Sequence, residues 1–188
     1  MEDSSEMLSA PGRVSSRCVY SGKVISVDLD ELRFPGGTTG ELEIVRHSGA
    51  SAVVPLLNTA KEPRVVLVRQ YRYAASGYIY EVPAGRLDPD ETPESCASRE
   101  LKEETGYSAA RLRKLTTIYT TPGFTDERIH IFLAEQLTPG ESAHEPDEFL
   151  ELYPVSLLEA VEMVRAGKIV DAKTCVALLL TELVLSSR

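Results

Sequence analysis

The first part of the chain alternates between apolar and polar positions. Residues 18–34 are rich in Val, Ile, Tyr and Phe, and the turn sequence PGGTTG separates them from a second run at residues 41–47. This pattern predicts an antiparallel hairpin or small sheet that is separate from the rest of the chain. We therefore expect an N-terminal antiparallel β element at residues 1–48 and one larger domain at residues 49–188.

Continuous apolar runs come next, and they predict strands near the centre of a sheet. The two clearest are residues 51–57 and 64–71, with residues 58–63 as the link between them. Three further strands are expected later in the chain: residues 112–119, residues 128–135 and the segment FLELYPV. The loop TTPGFTDE lies between the first two of these.

Capping signals predict three helices among these strands. Thr92 is a typical N-cap and Pro93 suits the first turn. Gly106 suits the position after the last turn, so the first helix is expected at residues 93–105. The signals for the other two helices are Ser156 with Glu159, Gly167 as a stop, and Asp171. Strands and helices mixed in this way are typical of an α/β or α+β fold.

The composition limits the class of protein. With 188 residues, 43% of them hydrophobic and 26% charged, the chain is globular and fits one ordinary domain with a small accessory element. The net charge of −9 repels polyanions, so nucleic acid is a poor partner. If the substrate is an anion, a metal ion on clustered carboxylates is the simplest way to reverse the local sign.

The expected location is the cytoplasm. The three cysteines lack CxxC spacing, and the acidic start MEDSSEMLSAPG is unlike a signal peptide. The longest apolar stretch, residues 175–185, is too short to span a bilayer. We therefore expect a soluble protein with reduced thiols and no membrane partner.

Residues 85–107 carry the clearest chemical signal. On a helix, Glu100, Glu103 and Glu104 crowd one face, where they repel each other. A divalent cation removes this repulsion, and oxygen ligands suit Mg²⁺ or Mn²⁺. Arg99 lies one turn before Glu103 and is placed to pair with it. The alternative is a solvated acidic helix face stabilised by i,i+4 pairs.

The same residues resemble the Nudix box, G-x5-E-x7-R-E-U-x-E-E-x-G-U. The matching positions are Gly85, Glu91, Arg99, Glu100, Leu101, Glu103, Glu104 and Gly106. Only Tyr107 departs from the usual aliphatic choice. The segments VRQYR, EVPAG and GKIVDAKT, together with Pro122, are similar to the ADP-ribose pyrophosphatase branch of that family, so the resemblance covers most of residues 51–180.

This resemblance implies a fold, an activity and an assembly. The fold is a mixed β-sheet sandwiched between helices, with the box as a loop-helix-loop beside it. The activity is metal-dependent hydrolysis of the pyrophosphate bond of ADP-ribose, giving AMP and ribose 5-phosphate, or of a related nucleoside-diphosphate sugar, with Mg²⁺ or Mn²⁺ as cofactor. Members of the branch are homodimers that exchange an N-terminal element, so residues 1–48 are expected to contribute to a homodimer.

Alternative functions stay open at this point. One is a hydrolase of another nucleotide sugar, such as GDP-mannose or ADP-glucose. Another is a non-hydrolytic nucleotide-sugar sensor on the same fold, although a pure binding module has no need of the full carboxylate set. RNA decapping is disfavoured by the net charge of −9.

The resemblance also assigns a metal site. Glu100 and Glu104 are expected to ligate the metal, with Glu103 assisting and the Ala84 carbonyl as a further ligand. The supporting residues are Gly85, Glu91, Arg99 and Gly106.

The general base is expected in the acidic loop HEPDEFLE. We favour Glu148, because it abuts the following strand, over Glu145, and Asp147 is a further candidate. The alternative is that these residues are solubilising loop charges.

Substrate contacts are expected from both parts of the chain. Arg72 is a candidate phosphate clamp, since a guanidinium suits bidentate oxyanion contacts, and the alternative is an ordinary surface arginine at the end of a strand. Glu81 of EVPAG is assigned to the substrate site by the resemblance, and Glu127 is expected to bind a metal or a ribose hydroxyl, or only to begin a strand. Two sets of residues are candidates for nucleobase contacts. Arg46 and His47 would make them across a dimer, or else are ordinary surface positions. Tyr71, Tyr73 and Tyr78 would stack on the base, or else pack in the core or at its rim.

Overall fold

The structure is a computed structural model that describes residues 12–57, 62–142 and 150–187. The chain divides into two compact units. The first holds the described residues up to Ser48 together with Thr121–Glu127. The second holds Gly49–Thr120 and the residues from Arg128 onwards.

The first unit is an antiparallel sheet of three strands: β1 (Arg13–Ser21), β2 (Ser26–Arg33) and β3 (Thr39–Arg46). The apolar run at residues 18–34 spans two strands, because a turn interrupts it. The Gly22 N–H donates to the Ile25 carbonyl at 2.9 Å in this turn. Thr125, from the later segment of this unit, forms a β-bridge with Val45 of β3.

The second unit is built on a seven-stranded mixed sheet. Its strands are β4 (Ala50–Leu57), β5 (Arg64–Arg72), β6 (Gly77–Glu81), β7 (Ala84–Arg86), β8 (Tyr107–Tyr119), β9 (Arg128–Pro139) and β10 (Leu150–Ser156). The order is β10-β5-β4-β9-β8, with β6 beside β5 and β7 beside β4. Only β4 and β9 run parallel among these pairs of described strands. The short strands β6 and β7 are not evident from the sequence, because five and three residues are too few to show a period.

Three helices of the described chain pack on this sheet: α1 (Pro93–Thr105), α2 (Leu157–Arg165) and α3 (Ala172–Ser186). Each begins at its predicted cap. The side-chain oxygens of Thr92, Ser156 and Asp171 accept the backbone N–H three residues later, at 3.2, 3.1 and 3.0 Å. Gly106 follows α1 with φ at 75°, a left-handed conformation that favours glycine.

Helices cover both faces of the sheet. Alternate residues of β4 point to opposite faces, so they pack against different helices. Val53 packs with Ala97 and Leu101 of α1. Val54 belongs to a larger core that includes Leu178 of α3. The expected fold, a mixed sheet between helices, is confirmed. Among the described helices, none is long and apolar enough to cross a membrane.

Candidate active site

Helix α1 is held against the sheet by an apolar stripe and by hydrogen bonds. Cys96, Ala97 and Leu101 are completely buried, and burying a leucine side chain such as that of Leu101 contributes about 1.5–3 kcal/mol. At the start of the helix, the Ser51 hydroxyl of β4 donates to the Pro93 carbonyl at 2.7 Å. This docking fixes the rotation of α1 about its axis and therefore the direction of its acidic residues.

Two of the three clustered acidic residues on α1 are buried. The exposed fractions of Glu100 and Glu104 are 8% and 3%, whereas the Glu103 side chain is 42% exposed. A solvated acidic face would leave all three in water. Burying carboxylates is costly unless cations or hydrogen-bond donors compensate them, so this arrangement indicates a preorganised binding site.

Gly85 makes room for the Glu100 carboxylate. A Cβ atom on Gly85 would lie 1.8 Å from Glu100 Oε1 and 2.2 Å from Glu100 Cδ. Strand β7 pairs Gly85 with Ser51 and Ala84 with Ala52, both on the central strand β4. The strand that carries Ala84, the expected carbonyl ligand, is therefore fixed to the same strand that anchors α1.

One guanidinium ties three carboxylates of the site together. Arg99 binds Glu91 through Nε to Oε1 at 3.0 Å and Nη2 to Oε2 at 2.9 Å. Its Nη1 donates to Glu100 at 2.6 Å and to Glu103 at 3.0 Å, so the predicted pair with Glu103 is present. The hydrogen bonds from Arg99 lower the pKa of Glu91 to about 2. In return, these carboxylates raise the pKa of Arg99 above its ordinary value.

The donor set fits a hard divalent cation. Four carboxylates, those of Glu91, Glu100, Glu103 and Glu104, accompany one guanidinium, which leaves a formal charge of −3. All the side-chain donors are oxygens, which Mg²⁺ and Mn²⁺ prefer. Across the described parts of the chain, no three His, Cys, Asp or Glu side chains converge on a common metal position. Glu100 and Glu103 are instead held by Arg99.

Cys96 lies beneath this site and supports its backbone. The thiol donates to the carbonyls of Gly85 at 3.5 Å and Arg86 at 3.4 Å. Burial, with a further contribution from the nearby Glu91 charge, raises the pKa of the Cys96 thiol to about 11. A buried thiol that stays protonated at neutral pH is chemically inert.

A second charged cluster lies where β5, β6 and α3 meet. Arg72 binds Glu81 through Nε to Oε1 at 2.7 Å and Nη2 to Oε2 at 3.1 Å. Lys173 donates to Glu81 and also lies 3.0 Å from Asp171. Burial acts to raise the pKa of Glu81, but Arg72 and Lys173 together hold it below its ordinary value. The pKa of Arg72 is raised mainly by its hydrogen bonds to Glu81, and the charge of Glu104 adds to this effect.

The structure thus brings together two residues that the sequence singles out separately, Arg72 and Glu81. Lys173 and Asp171 are not identified as site residues from the sequence, because Asp171 has the pattern of a helix cap and Lys173 that of an ordinary first-turn residue. The one signal for them is the segment GKIVDAKT, which contains both.

Three further predicted substrate residues, Arg46, His47 and Glu127, lie in the first unit. Arg46 is ion-paired to three carboxylates, those of Asp28, Asp30 and Asp126. The Nδ1 atom of His47 lies 3.4 Å from Oε1 of Glu127. Arg46 and Glu127 are therefore held by neighbours within their own unit.

The three tyrosines lie at the β5–β6 hairpin. Tyr71 and Tyr78 pack edge to face with ring centroids 5.5 Å apart, and the guanidinium of Arg69 covers the Tyr78 ring at 4.3 Å. Tyr73 is 89% exposed. The candidate general bases, Glu145, Asp147 and Glu148, lie outside the described residues.

Comparison with known proteins adds to this geometry. The family model described as NUDIX domain matches residues 46–174. An ADP-ribose pyrophosphatase of Bacillus subtilis (strain 168) is 41% identical over 167 residues, which cover 88% of this chain and 89% of that protein. A GDP-mannose pyrophosphatase of Escherichia coli O1:K1 / APEC is 39% identical over 152 residues, covering 72% and 78%. A solved structure described as an ADP compounds hydrolase has the same fold, with a TM-score of 0.80 at 24% identity, covering 94% of this chain and 95% of that one.

Proposed function

The chain belongs to the Nudix family of hydrolases, and from this we propose that it hydrolyses the pyrophosphate bond of ADP-ribose to AMP and ribose 5-phosphate. One relative is named an ADP-ribose pyrophosphatase and the other a GDP-mannose pyrophosphatase, so the substrate class is a nucleoside-diphosphate sugar. The first is the more identical of the two and matches more of the chain, which favours ADP-ribose.

The burial of Glu100 and Glu104 on α1 carries this proposal. Nudix hydrolases generally use divalent metal ions, and we assign Mg²⁺, with Mn²⁺ as a substitute, to Glu100, Glu103, Glu104 and the Ala84 carbonyl. When bound, such an ion supplies positive charge for the diphosphate and lowers the pKa of a water molecule. The chain itself keeps the carboxylates in place, because Arg99 holds Glu100 and Glu103 and is itself held by Glu91.

Arg72 is proposed to bind a phosphate oxygen of the substrate. Its Nε and Nη2 atoms are engaged by Glu81, and its side chain is 42% exposed, so we assign the remaining Nη1 group to the oxyanion. Glu148 is proposed as the general base, with Glu145 as the second choice. GDP-mannose is the second candidate substrate, because the relative from E. coli is named for it.

A homodimer with an exchanged N-terminal element is also proposed. Its support is the exposed apolar surface of β1, where Val14, Val19 and Tyr20 are 54%, 49% and 55% exposed. Arg46, His47 and Glu127 are then candidates for base and ribose contacts. Multi-angle light scattering measures the assembly, and a monomer at micromolar concentration would contradict it. A cytoplasmic location is likewise proposed, supported by the free thiols of all three cysteines.

The activity is tested with a panel of ADP-ribose, GDP-mannose and ADP-glucose. Release of nucleoside monophosphate is followed with Mg²⁺, with Mn²⁺ and with EDTA. We expect a kcat/KM at least about tenfold higher for ADP-ribose than for the others, which corresponds to about 1.4 kcal/mol. A higher kcat/KM for GDP-mannose would replace the proposed substrate, and no turnover of any member would support a sensor.

The metal assignment is tested with Glu104→Gln. The variant keeps the shape of the side chain but removes one ligand charge, so we expect a stable fold with turnover lowered by about a hundredfold or more. The matched control is Glu94→Gln, an exposed residue on the same helix, which should keep full activity. Unchanged Mg²⁺-dependent turnover in Glu104→Gln would refute the assignment.

A further inference from the structure

We propose that Lys173 is a positioning residue that holds the Arg72 guanidinium in place for a phosphate of the substrate. The proposal rests on the phosphate-binding role proposed above for Arg72. Lys173 acts through Glu81, since its ammonium group and the Arg72 guanidinium bind the same carboxylate.

Glu81 is placed to transmit this effect because it is buried. It is 2% exposed, and both of its oxygens are engaged by Arg72. The Lys173 side chain is 12% exposed and donates to Oε2, the oxygen that also accepts from Arg72 Nη2. A carboxylate held from two sides has little freedom to rotate, so the plane of the Arg72 guanidinium is fixed with it.

The start of α3 fixes Lys173 in turn. Asp171 caps the helix through the Thr174 N–H at 3.0 Å, accepts from the Thr174 hydroxyl at 2.6 Å and pairs with Lys173. The Thr174 hydroxyl oxygen also accepts from the N–H of Val82, the residue after Glu81, at 2.9 Å. The side chain of Glu81 and the adjoining backbone are therefore both attached to the first turn of α3.

Charge balance gives Lys173 a second effect on Arg72. Arg72 and Lys173 carry two positive charges against the two negative charges of Glu81 and Asp171. Without Lys173, both carboxylates would compete for Arg72, and the cluster would carry a net negative charge beside Glu104. The net negative charge would then repel a diphosphate, and the Arg72 guanidinium would be turned towards α3 and away from the substrate.

The test combines steady-state kinetics with a double-mutant cycle. Lys173→Met should raise the KM for ADP-ribose about tenfold while kcat changes by less than about threefold, because the loss falls on substrate binding. In an Arg72→Ala background, the same substitution should change KM by less than about twofold, since the guanidinium that Lys173 positions is no longer present. Lys173→Arg, which keeps the charge, should stay within about threefold of the wild type. The matched control is Lys168→Met, an exposed lysine just before α3.

A purely structural role gives a different result. Equal increases in KM with and without Arg72, or a KM unchanged in Lys173→Met, would overturn the proposal. If Lys173→Met does not fold, Lys173→Gln replaces it, with the same expectations.

Calorimetric binding of ADP-ribose in EDTA separates this proposal from the proposed function. We expect the Kd to rise by the same factor as KM in Lys173→Met. Wild-type protein that binds without hydrolysing would contradict the function alone, and the Kd ratio then decides the role of Lys173. Wild-type protein that neither binds nor hydrolyses ADP-ribose would contradict both.

Discussion

Replacing Gly85 by alanine is expected to inactivate the enzyme while leaving it folded. The added Cβ would lie 1.8 Å from Glu100 Oε1, whereas ordinary contact begins at 3.4 Å, so the carboxylate has to retreat by at least 1.6 Å. That movement breaks the 2.6 Å contact with Arg99 and displaces a proposed metal ligand. Misplacing a catalytic group by about 1 Å costs about a hundredfold in rate, so kcat should fall by about that factor or more.

The fold should tolerate this change. The atoms that the new Cβ meets are the far end of a flexible side chain, and the φ angle of Gly85 is not in the left-handed region. The melting temperature should therefore fall by less than about 5 °C, in the range of an ordinary substitution.

Two measurements check this prediction: kcat for ADP-ribose with Mg²⁺, and Mn²⁺ affinity by electron paramagnetic resonance, which needs no turnover. Gly77→Ala is the matched control, since it is also a strand glycine and nothing lies within 4 Å of its Cβ position. Adding Glu100→Asp to Gly85→Ala shortens the side chain and should recover about tenfold of the lost rate. A Gly85→Ala enzyme within about threefold of the wild type, or one that loses activity only by unfolding, would refute the steric reasoning.

Two further predictions concern stability. The pKa of Glu91 is lowered from 4.5 to about 2, so its contribution to stability is complete above about pH 4.5 and is lost as the pH falls towards 2. In urea unfolding, the wild type should therefore have a higher free energy of unfolding than Glu91→Gln at pH 7, and this difference should disappear in acid. A difference that is constant with pH would contradict the prediction. Thr174→Val should lower the free energy of unfolding by about 1–3 kcal/mol, because the buried Val82 N–H loses its acceptor. The control is Thr181→Val, whose hydroxyl donates to the Ala177 carbonyl within α3, and equal losses in both variants would exclude this explanation.

Local signals in the sequence predict the part of the site that is local in sequence. Helix α1 follows from Thr92, Pro93 and Gly106, and its acidic positions follow from the helical spacing. The burial of Glu100 and Glu104 does not follow. The surroundings of Glu100 include Gly85 of β7, a strand of three residues that leaves no periodic pattern. Spacing alone gives the direction of a side chain, and the surroundings come from elsewhere in the fold.

Contacts between distant residues are the part that sequence patterns miss. Lys173 and Glu81 are separated by 92 positions, and nothing in either local segment indicates the other. Likewise, Thr125 joins the first unit through Val45, although it lies within the loop between two strands of the second. The identity of the general base is unaffected by these observations and stays a prediction for Glu148.

The parallel pairing of β4 with β9 also bears on how the protein is made. Residues 50–55 of β4 pair with residues 129–134 of β9, so one flank of the strand that anchors α1 is synthesised long after α1 itself. A nascent chain stalled before β9 would present the open edge of β4 to other strands. Productive folding of the second unit therefore waits for β9, and until then the unpaired edge of β4 is available to strands of other chains.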